Sequence, residues 1–186
     1  METPRIRLKV LGLSTEQITQ GAYALILAQA NGPVRIPIII AEAEARSIAA
    51  RMEQLNLPRP LTHDLFASFA QAFGIAMTEV FIYKFEDGIF FSEIAFTDGE
   101  RRVTFDSRTS DAIAIAMRTG APIYTTKEII HECGFVMDET DSSSTSIELR
   151  EPSIENLQQQ LEEAIEREDY EEAARLTEII NKKKQI

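Results

Sequence analysis

Residues Thr104–Thr126 read TFDSRTSDAIAIAMRTGAPIYTT, and the change of period within this stretch decides how the rest of the chain can fold. Val103 and Phe105 close an alternating run that suits a strand, and Asp106 follows. A short polar turn is expected at Ser107–Ser110. A helix comes next, because Ala112, Ile113, Ala116 and Met117 recur at i, i+1, i+4 and i+5, one face of a 3.6-residue period. Gly120 suits the position just after that helix, and Pro122 opposes its continuation. Asp106, Arg108, Ser110 and Asp111 therefore crowd the junction of strand and helix. A helix start exposes unpaired N–H groups and a positive dipole end, which favours anion handling or a functional carboxylate. The same residues have a purely structural reading, in which Ser107, Thr109 or Ser110 caps the helix and Asp111 complements its dipole.

Working outward, the chain of 186 residues is 44% hydrophobic, enough for one domain of ordinary size plus an appendage. No apolar run approaches the roughly 20 residues of a membrane span. The opening METPRIRLKV carries charges where a signal peptide would be apolar, so a cytoplasmic protein without a membrane partner is expected. The one cysteine, Cys133, excludes an intrachain disulfide and a cysteine-rich zinc site. The net charge of −11 is uneven. Residues 1–136 hold 13 Lys and Arg against 16 Asp and Glu, whereas residues 137–186 hold 6 against 14. Neither part has the basic surplus of a strong non-specific nucleic-acid binder, although an enzyme needs only a local basic site.

Arg5–Leu13 alternates as a half-buried strand does, and Tyr23–Ala30 and Val34–Ile40 follow around the Asn31-Gly32 turn signal. Pro37 points to an edge or strand-end position. Ala41–Leu55 reads as a helix with Ala41, Ala45, Ile48, Ala49, Met52 and Leu55 on its apolar face. Glu42 and Glu44 fall in its first turn, where the helix dipole accounts for them without catalysis. Pro58 and Pro60 hold Arg59 extended. Thr62 then suits an N-cap, and Leu65, Phe66, Phe69, Ala70 and Phe73 form the stripe expected to be buried. His63 and Asp64 lie in that helix's first turn, off the stripe. Three antiparallel strands follow over Ala76–Phe85, Gly88–Thr97 and Glu100–Asp106, with Asp87-Gly88 and Asp98-Gly99 as turns. After the central helix come a short extended piece at Ile123-Tyr124 and a short helix at Lys127–Cys133. The expected class is α+β: a mostly antiparallel sheet of about six strands with about four helices over residues 1–136. Residues 137–153, acidic and Ser-rich without periodicity, read as a flexible linker. Residues 154–186 read as an α-helical hairpin with Ile154, Leu157, Leu161, Ala164 and Ile165 on one apolar face. So small a unit buries too little surface alone, so it is expected to pair with a copy of itself, a partner protein or the main domain.

RPLTHDL at Arg59–Leu65 and DSRTSDAIAIAMRTGAPIY at Asp106–Tyr124 resemble the bifunctional nuclease domain family, and IPIIIAEAEARSIA at Ile36–Ala49 is similar to a third block. The resemblance spans roughly residues 5 to 135. The family usually has Pro where this chain has Thr109 and Gly where it has Ala41; the polar residues of the motifs are intact. The resemblance implies cleavage of DNA and RNA phosphodiesters. Farther on, LEEAIEREDYEEAARLTEII resembles the UVR motif of bacterial nucleotide-excision-repair proteins, with Tyr170, Glu171, Ala173 and Ala174 matching its core. Thr177-Glu178 stands where that motif usually has Arg-Asp. The resemblance implies a hairpin that binds other hairpins, hence a protein partner or a homo-oligomer.

For a phosphodiesterase the candidate residues are these. Asp64, Asp106 and Asp111 would hold Mg²⁺ or Mn²⁺ and serve as catalytic carboxylates. His63 would be the general base or acid. Arg59 and Arg108, with Thr62 and Ser110, would bind the nucleic acid substrate. This requires the turn at Thr62–Asp64 to meet the turn at Asp106–Asp111. The rival reading is a non-enzymatic oligomeric scaffold, in which Arg59–Asp106 and Arg108–Asp64 pairs and a Thr62 cap lock helices to the sheet.

Overall fold

The computed structural model describes residues 4–14 and 21–136. The linker expected at 137–153 and the hairpin expected at 154–186 lie outside the described residues. The described elements follow as β1 (Ile6–Leu13), β2 (Ala22–Gln29), β3 (Val34–Ala41), α1 (Glu42–Met52), α2 (Thr62–Ala72), β4 (Ala76–Glu86), β5 (Ile89–Thr97), β6 (Arg102–Arg108), α3 (Thr109–Thr119), β7 (Ile123–Thr125), α4 (Lys127–Cys133) and β8 (Phe135–Val136). The class is α+β with four helices and a mostly antiparallel sheet, but the sheet has eight strands instead of about six.

Across the sheet the order is β6-β5-β4-β7-β1-β2-β3-β8. Two antiparallel meanders, β1-β2-β3 and β4-β5-β6, supply the strands that alternation reveals. The Asp87-Gly88 turn has φ of 51° and 78°, the pair of positive values that a two-residue hairpin turn requires. The two extra strands are short. β7 joins the meanders, antiparallel to β1 through Ile6–Thr125 and Leu8–Ile123, and parallel to β4 through Val80–Ile123 and Ile82–Thr125. Three residues carry too little alternation to announce a strand. β8 pairs only with Val34 and Arg35 of β3, which leaves the outer side of β3 uncovered at Pro37 among the described residues. Gly134, just before β8, has no room for a Cβ, which would strike the Ile130 carbonyl oxygen and Val34 Cγ1.

Directly opposed residues share a face of an antiparallel sheet. Leu25 opposes Ile38, Leu27 opposes Ile36, and Val80 opposes Ile94. These residues join Leu8, Ile82 and Ile123, Ile48 of α1 and Ile113 of α3 in one contiguous core. Burying each such side chain contributes roughly 1.5–3 kcal/mol. No helix among the described residues is long and apolar enough to cross a membrane.

Four local expectations are corrected. No polar turn separates β6 from α3: the strand runs through Arg108, whose φ and ψ of −60° and 138° are extended, and the helix begins at Thr109. The Thr109 hydroxyl does not cap the helix because it donates to Phe90 O at 3.0 Å, tying the helix start to β5. Thr62 is the first helical residue rather than the N-cap, and the orphan N–H of Leu61 is satisfied by Asp64 Oδ2 at 2.9 Å. The α2 stripe is not buried. Only Ala70 is enclosed, while Leu65, Phe66, Phe69 and Phe73 are 62%, 42%, 56% and 68% exposed. Periodicity shows that a helix is amphipathic, not what its apolar face meets.

Replacing the fully buried Ile113 by Ala should lower stability by about 2–5 kcal/mol, because α3 is pinned between sheet and neighbouring helices and cannot collapse onto the void. Urea unfolding of the variant beside the parent measures this. A loss well under 1 kcal/mol would mean α3 is not fixed in the core as described.

Candidate functional site

The beginnings of three helices meet at one place. α1 brings Glu44 and Ser47, α2 brings His63 and Asp64, α3 brings Asp111 and farther along Arg118, and the end of β6 brings Arg108. His63 Nδ1 lies 2.8 Å from Ser47 Oγ, and its Nε2 lies 3.0 Å from Asp111 Oδ1. Arg118 Nη2 donates to the same Ser47 Oγ at 3.1 Å and to Ser47 O at 3.2 Å. Its Nε donates to Asp64 Oδ1 at 2.6 Å and its Nη1 to Ala114 O at 2.9 Å. A hydroxyl that accepts from a guanidinium still has its own proton to give. In the neutral ring with its proton on Nε2, Ser47 donates to Nδ1 and Nε2 donates to Asp111; in the protonated ring both nitrogens donate, Nδ1 to the Ser47 hydroxyl oxygen.

Arg108 grips the other side of Asp111, through Nε to Oδ2 at 2.7 Å and Nη2 to Oδ1 at 3.1 Å, and reaches Glu44 Oε1 at 2.7 Å. Glu44 Oε2 is buried without a hydrogen-bond partner among the described residues. The two arginines differ in kind. The Arg118 side chain is 5% exposed and fully enclosed by acceptors, whereas that of Arg108 is 68% exposed. Ser47, His63 and Asp111 have the residue types of a nucleophilic relay, but Ser47 is 3% exposed, so its hydroxyl positions the ring and does not face a substrate.

The charges settle accordingly. The Arg118 hydrogen bond holds the Asp64 carboxyl below its ordinary range against the opposing effect of burial, helped by the Leu61 N–H. For Asp111 burial is the strongest single influence and pushes upward, but the hydrogen bonds and charges of Arg108 and His63 together outweigh it, so the net shift is downward. Asp111 in turn raises Arg108. Beside this network opens a cleft of about 890 Å³ lined by Arg51, Arg59, Asp64 and Arg118, with Asn56 and Leu57.

Four of the residues singled out from sequence, His63, Asp64, Arg108 and Asp111, are thus brought together. Arg59 lines the cleft and makes no ion pair among the described residues, so the anticipated Arg59–Asp106 and Arg108–Asp64 pairs are replaced by Arg118–Asp64 and Arg108–Asp111. Thr62 is exposed and Ser110 half-buried in their helix first turns. Asp106 lies apart. Because β6 continues to Arg108, alternation places Asp106 on the face opposite Phe105, which packs toward Phe96; Asp106 stands instead across from Glu93 of β5. Asp64, Asp106 and Asp111 therefore do not assemble a common cation site. Among the described residues no group of three His, Cys, Asp or Glu side chains is placed to hold a metal ion. Sequence reasoning missed Ser47 and Arg118 and explained Glu44 by the dipole alone. The available signals were the i, i+3 spacing of Glu44 and Ser47 beside an apolar face, and a lone arginine late in a helix of Ala and Ile.

The chain belongs to the bifunctional nuclease domain family, whose sequence profile matches residues 25–138. Residues 153–185 match the UvrB/UvrC motif. An uncharacterized protein of Mycobacterium tuberculosis is 35% identical over 155 residues, covering 83% of this chain and 92% of its own length. Bifunctional nuclease 1 of Oryza sativa is 26% identical over 127 residues, and that of Arabidopsis thaliana is 26% identical over 126. Each of these matches covers 66% of this chain, but only 38% and 39% of the plant proteins respectively.

Both depressed carboxyls stabilise the fold above the unfolded-state value of about 3.9, and that contribution is lost as pH falls through their folded values. The urea midpoint of the parent should therefore drop between about pH 5 and pH 3, and an Asp64→Asn, Asp111→Asn double variant, already weaker at neutral pH, should drop less. Parallel pH profiles would show that these ion pairs do not contribute to stability.

Proposed function

We propose that this domain hydrolyses phosphodiester bonds of nucleic acid, with the strand lying along the arginine-lined cleft and the His63–Asp111 pair as its proton-handling centre. The observation that carries this reading is the 3.0 Å contact between His63 and Asp111, two polar residues 48 apart in sequence, joined beside a cleft lined by three arginines. Support comes from membership of the bifunctional nuclease domain family and from the plant relatives bearing that name.

Arg59 and Arg51 take phosphate oxygens by charge-assisted hydrogen bonds. The exposed Arg108 exchanges Asp111 for the scissile phosphate. Once its guanidinium leaves, burial pushes the Asp111 carboxyl upward with less to oppose it, and the carboxylate takes a proton from the attacking water. His63 in its protonated form, held in register by Ser47, gives its Nε2 proton to the leaving oxygen, and the proton that Asp111 has taken from the water returns to the ring across their contact. No step runs through Mg²⁺ or Mn²⁺, because Asp64 and Asp111 are engaged by Arg118 and Arg108 and Asp106 faces elsewhere. The segment at 153–185 serves as an attachment point for a protein partner or a second copy.

A second reading, a non-enzymatic scaffold, is favoured by one observation: every nitrogen of the enclosed Arg118 guanidinium has an acceptor among Asp64, Ser47 and Ala114, as a structural network requires. Purified protein assayed on single-stranded DNA and RNA, with and without added divalent ions, separates the two. His63→Ala and Asp111→Asn should each lower turnover on the order of 10²–10⁴-fold, and Arg59→Ala should chiefly raise KM. Cleavage unchanged in both His63→Ala and Asp111→Asn, or absent from the parent under every condition, would leave the scaffold reading standing.

A further inference from the structure

β6 forms one margin of the sheet, and over its seven residues, Arg102–Arg108, no described residue pairs with its outer edge. An open edge of this length is a template for another strand unless it is blunted. Its charged residues, Arg102, Asp106 and Arg108, recur at even positions, and the residues between them leave an apolar side open. Val103 and Phe105, on the helix side of the sheet, are 46% and 55% exposed. The apolar surface continues inward and upward: Phe105 packs on Phe96 with ring centroids 6.1 Å apart, Phe96 packs on Phe66 at 5.9 Å, and Phe66 opens onto the exposed stripe of α2. On the other side of the sheet Asp106 faces Glu93, a like charge directly opposite, and neither has an ion-pair partner among the described residues. Such an opposition is unfavourable until a cation arrives.

We infer that β6 pairs antiparallel with β6 of a second copy of this chain about a two-fold axis through Thr104. The strand's own sequence selects both the partner and the register. With Thr104 opposite Thr104, Val103 of each copy stands opposite Phe105 of the other, and Arg102 stands opposite Asp106, so apolar meets apolar and charge meets opposite charge twice over. Centring on Phe105 instead would oppose Arg102 to Arg108 and Val103 to Ser107. A one-residue slip would set the apolar positions against the polar face. The partner's Arg102, whose Nη2 already reaches Glu79 Oε1 of its own chain at 2.6 Å, brings a guanidinium that bridges Glu79 and Asp106, and the two α2 stripes come to the same side of the seam. Asp106, which the polar network does not include, thus acquires its role at the interface.

The register is read directly by cross-linking the full chain in a Cys133→Ala background. On the axis, two residues at position 104 have Cβ atoms about 4.5–5.5 Å apart, within reach of a disulfide after modest adjustment. Thr104→Cys should therefore give a reducible covalent dimer under mild oxidation. Asp106→Cys, about 13 Å from its twin, should not. Association through residues 153–185 would not reproduce this position dependence. Asp106→Arg, which sets arginine opposite arginine and leaves the Arg102–Glu79 pair in place, should weaken β6 pairing, seen as loss of the Thr104→Cys cross-link. A Thr104→Cys chain that cross-links no more than its Cys133→Ala parent, or no more than Asp106→Cys, overturns the inference.

Discussion

Three residues, Ile123, Tyr124 and Thr125, hold the two halves of the sheet in one piece. Their ladder is antiparallel on one side and parallel on the other, and it is reinforced where Val80 N donates to Pro122 O at 2.9 Å and the buried Thr125 hydroxyl donates to Ile82 O at 3.0 Å. Since β6 opposes β5 and β5 opposes β4, β7 runs in the same direction as β6, and α3 is the crossover between them. The helix therefore begins at the margin of the sheet and ends near its middle. Asp111 is set at the outer end and Arg118 at the inner end of the same α3, and α1 and α2 are aligned by packing against that helix. The polar network is a consequence of where the crossover must start and stop.

Within the network the two arginines divide the work by solvent access. Arg118 is enclosed, and an enclosed guanidinium persists only with its donors satisfied and its charge matched. Asp64 supplies the charge, while Ser47 and the Ala114 carbonyl take remaining donors, so α1, α2 and α3 are tied by a group that cannot easily let go. Arg108 is bound as closely but stands in water, where exchanging one anion for another costs little. A rigid anchor and an exchangeable clamp thus flank the same histidine. Whatever ligand the cleft takes meets a surface whose inner half is already organised.

Much of this was legible in the chain, and the remainder was hidden for identifiable reasons. The two meanders followed from alternation and from Asp87-Gly88, and α3 from its apolar period and from Gly120, which closes the helix with φ of 76°. β7 and β8 escaped because two or three residues have no period, and their pairing is decided by distant strands. The cap expected of Thr109 failed because its hydroxyl bonds β5, and that of Thr62 because the helix already includes Thr62, with Leu61 before it as the N-cap. Convergence of His63 with Asp111 required only that two helices start side by side. Asp106 was separated from them by parity alone, since a turn expected at Ser107–Ser110 would have freed it and a continuous strand did not. The outward face of α2 could not be read at all, for a stripe of Phe and Leu looks the same whether it meets a core or another molecule.

Among the described residues the opposite margin of the sheet is covered by very little. β8 is two residues long, and it reaches β3 only because Gly134 lets the chain pass against the Ile130 carbonyl and Val34. A single added methyl at that position would meet backbone, which has no flexible end to move aside. The strand would then be pushed off, and the N-terminal half of β3 would present bare amide and carbonyl groups beside its isoleucines. Misassembly into disordered aggregates, rather than loss of any local contact, would be the principal damage from so small a change.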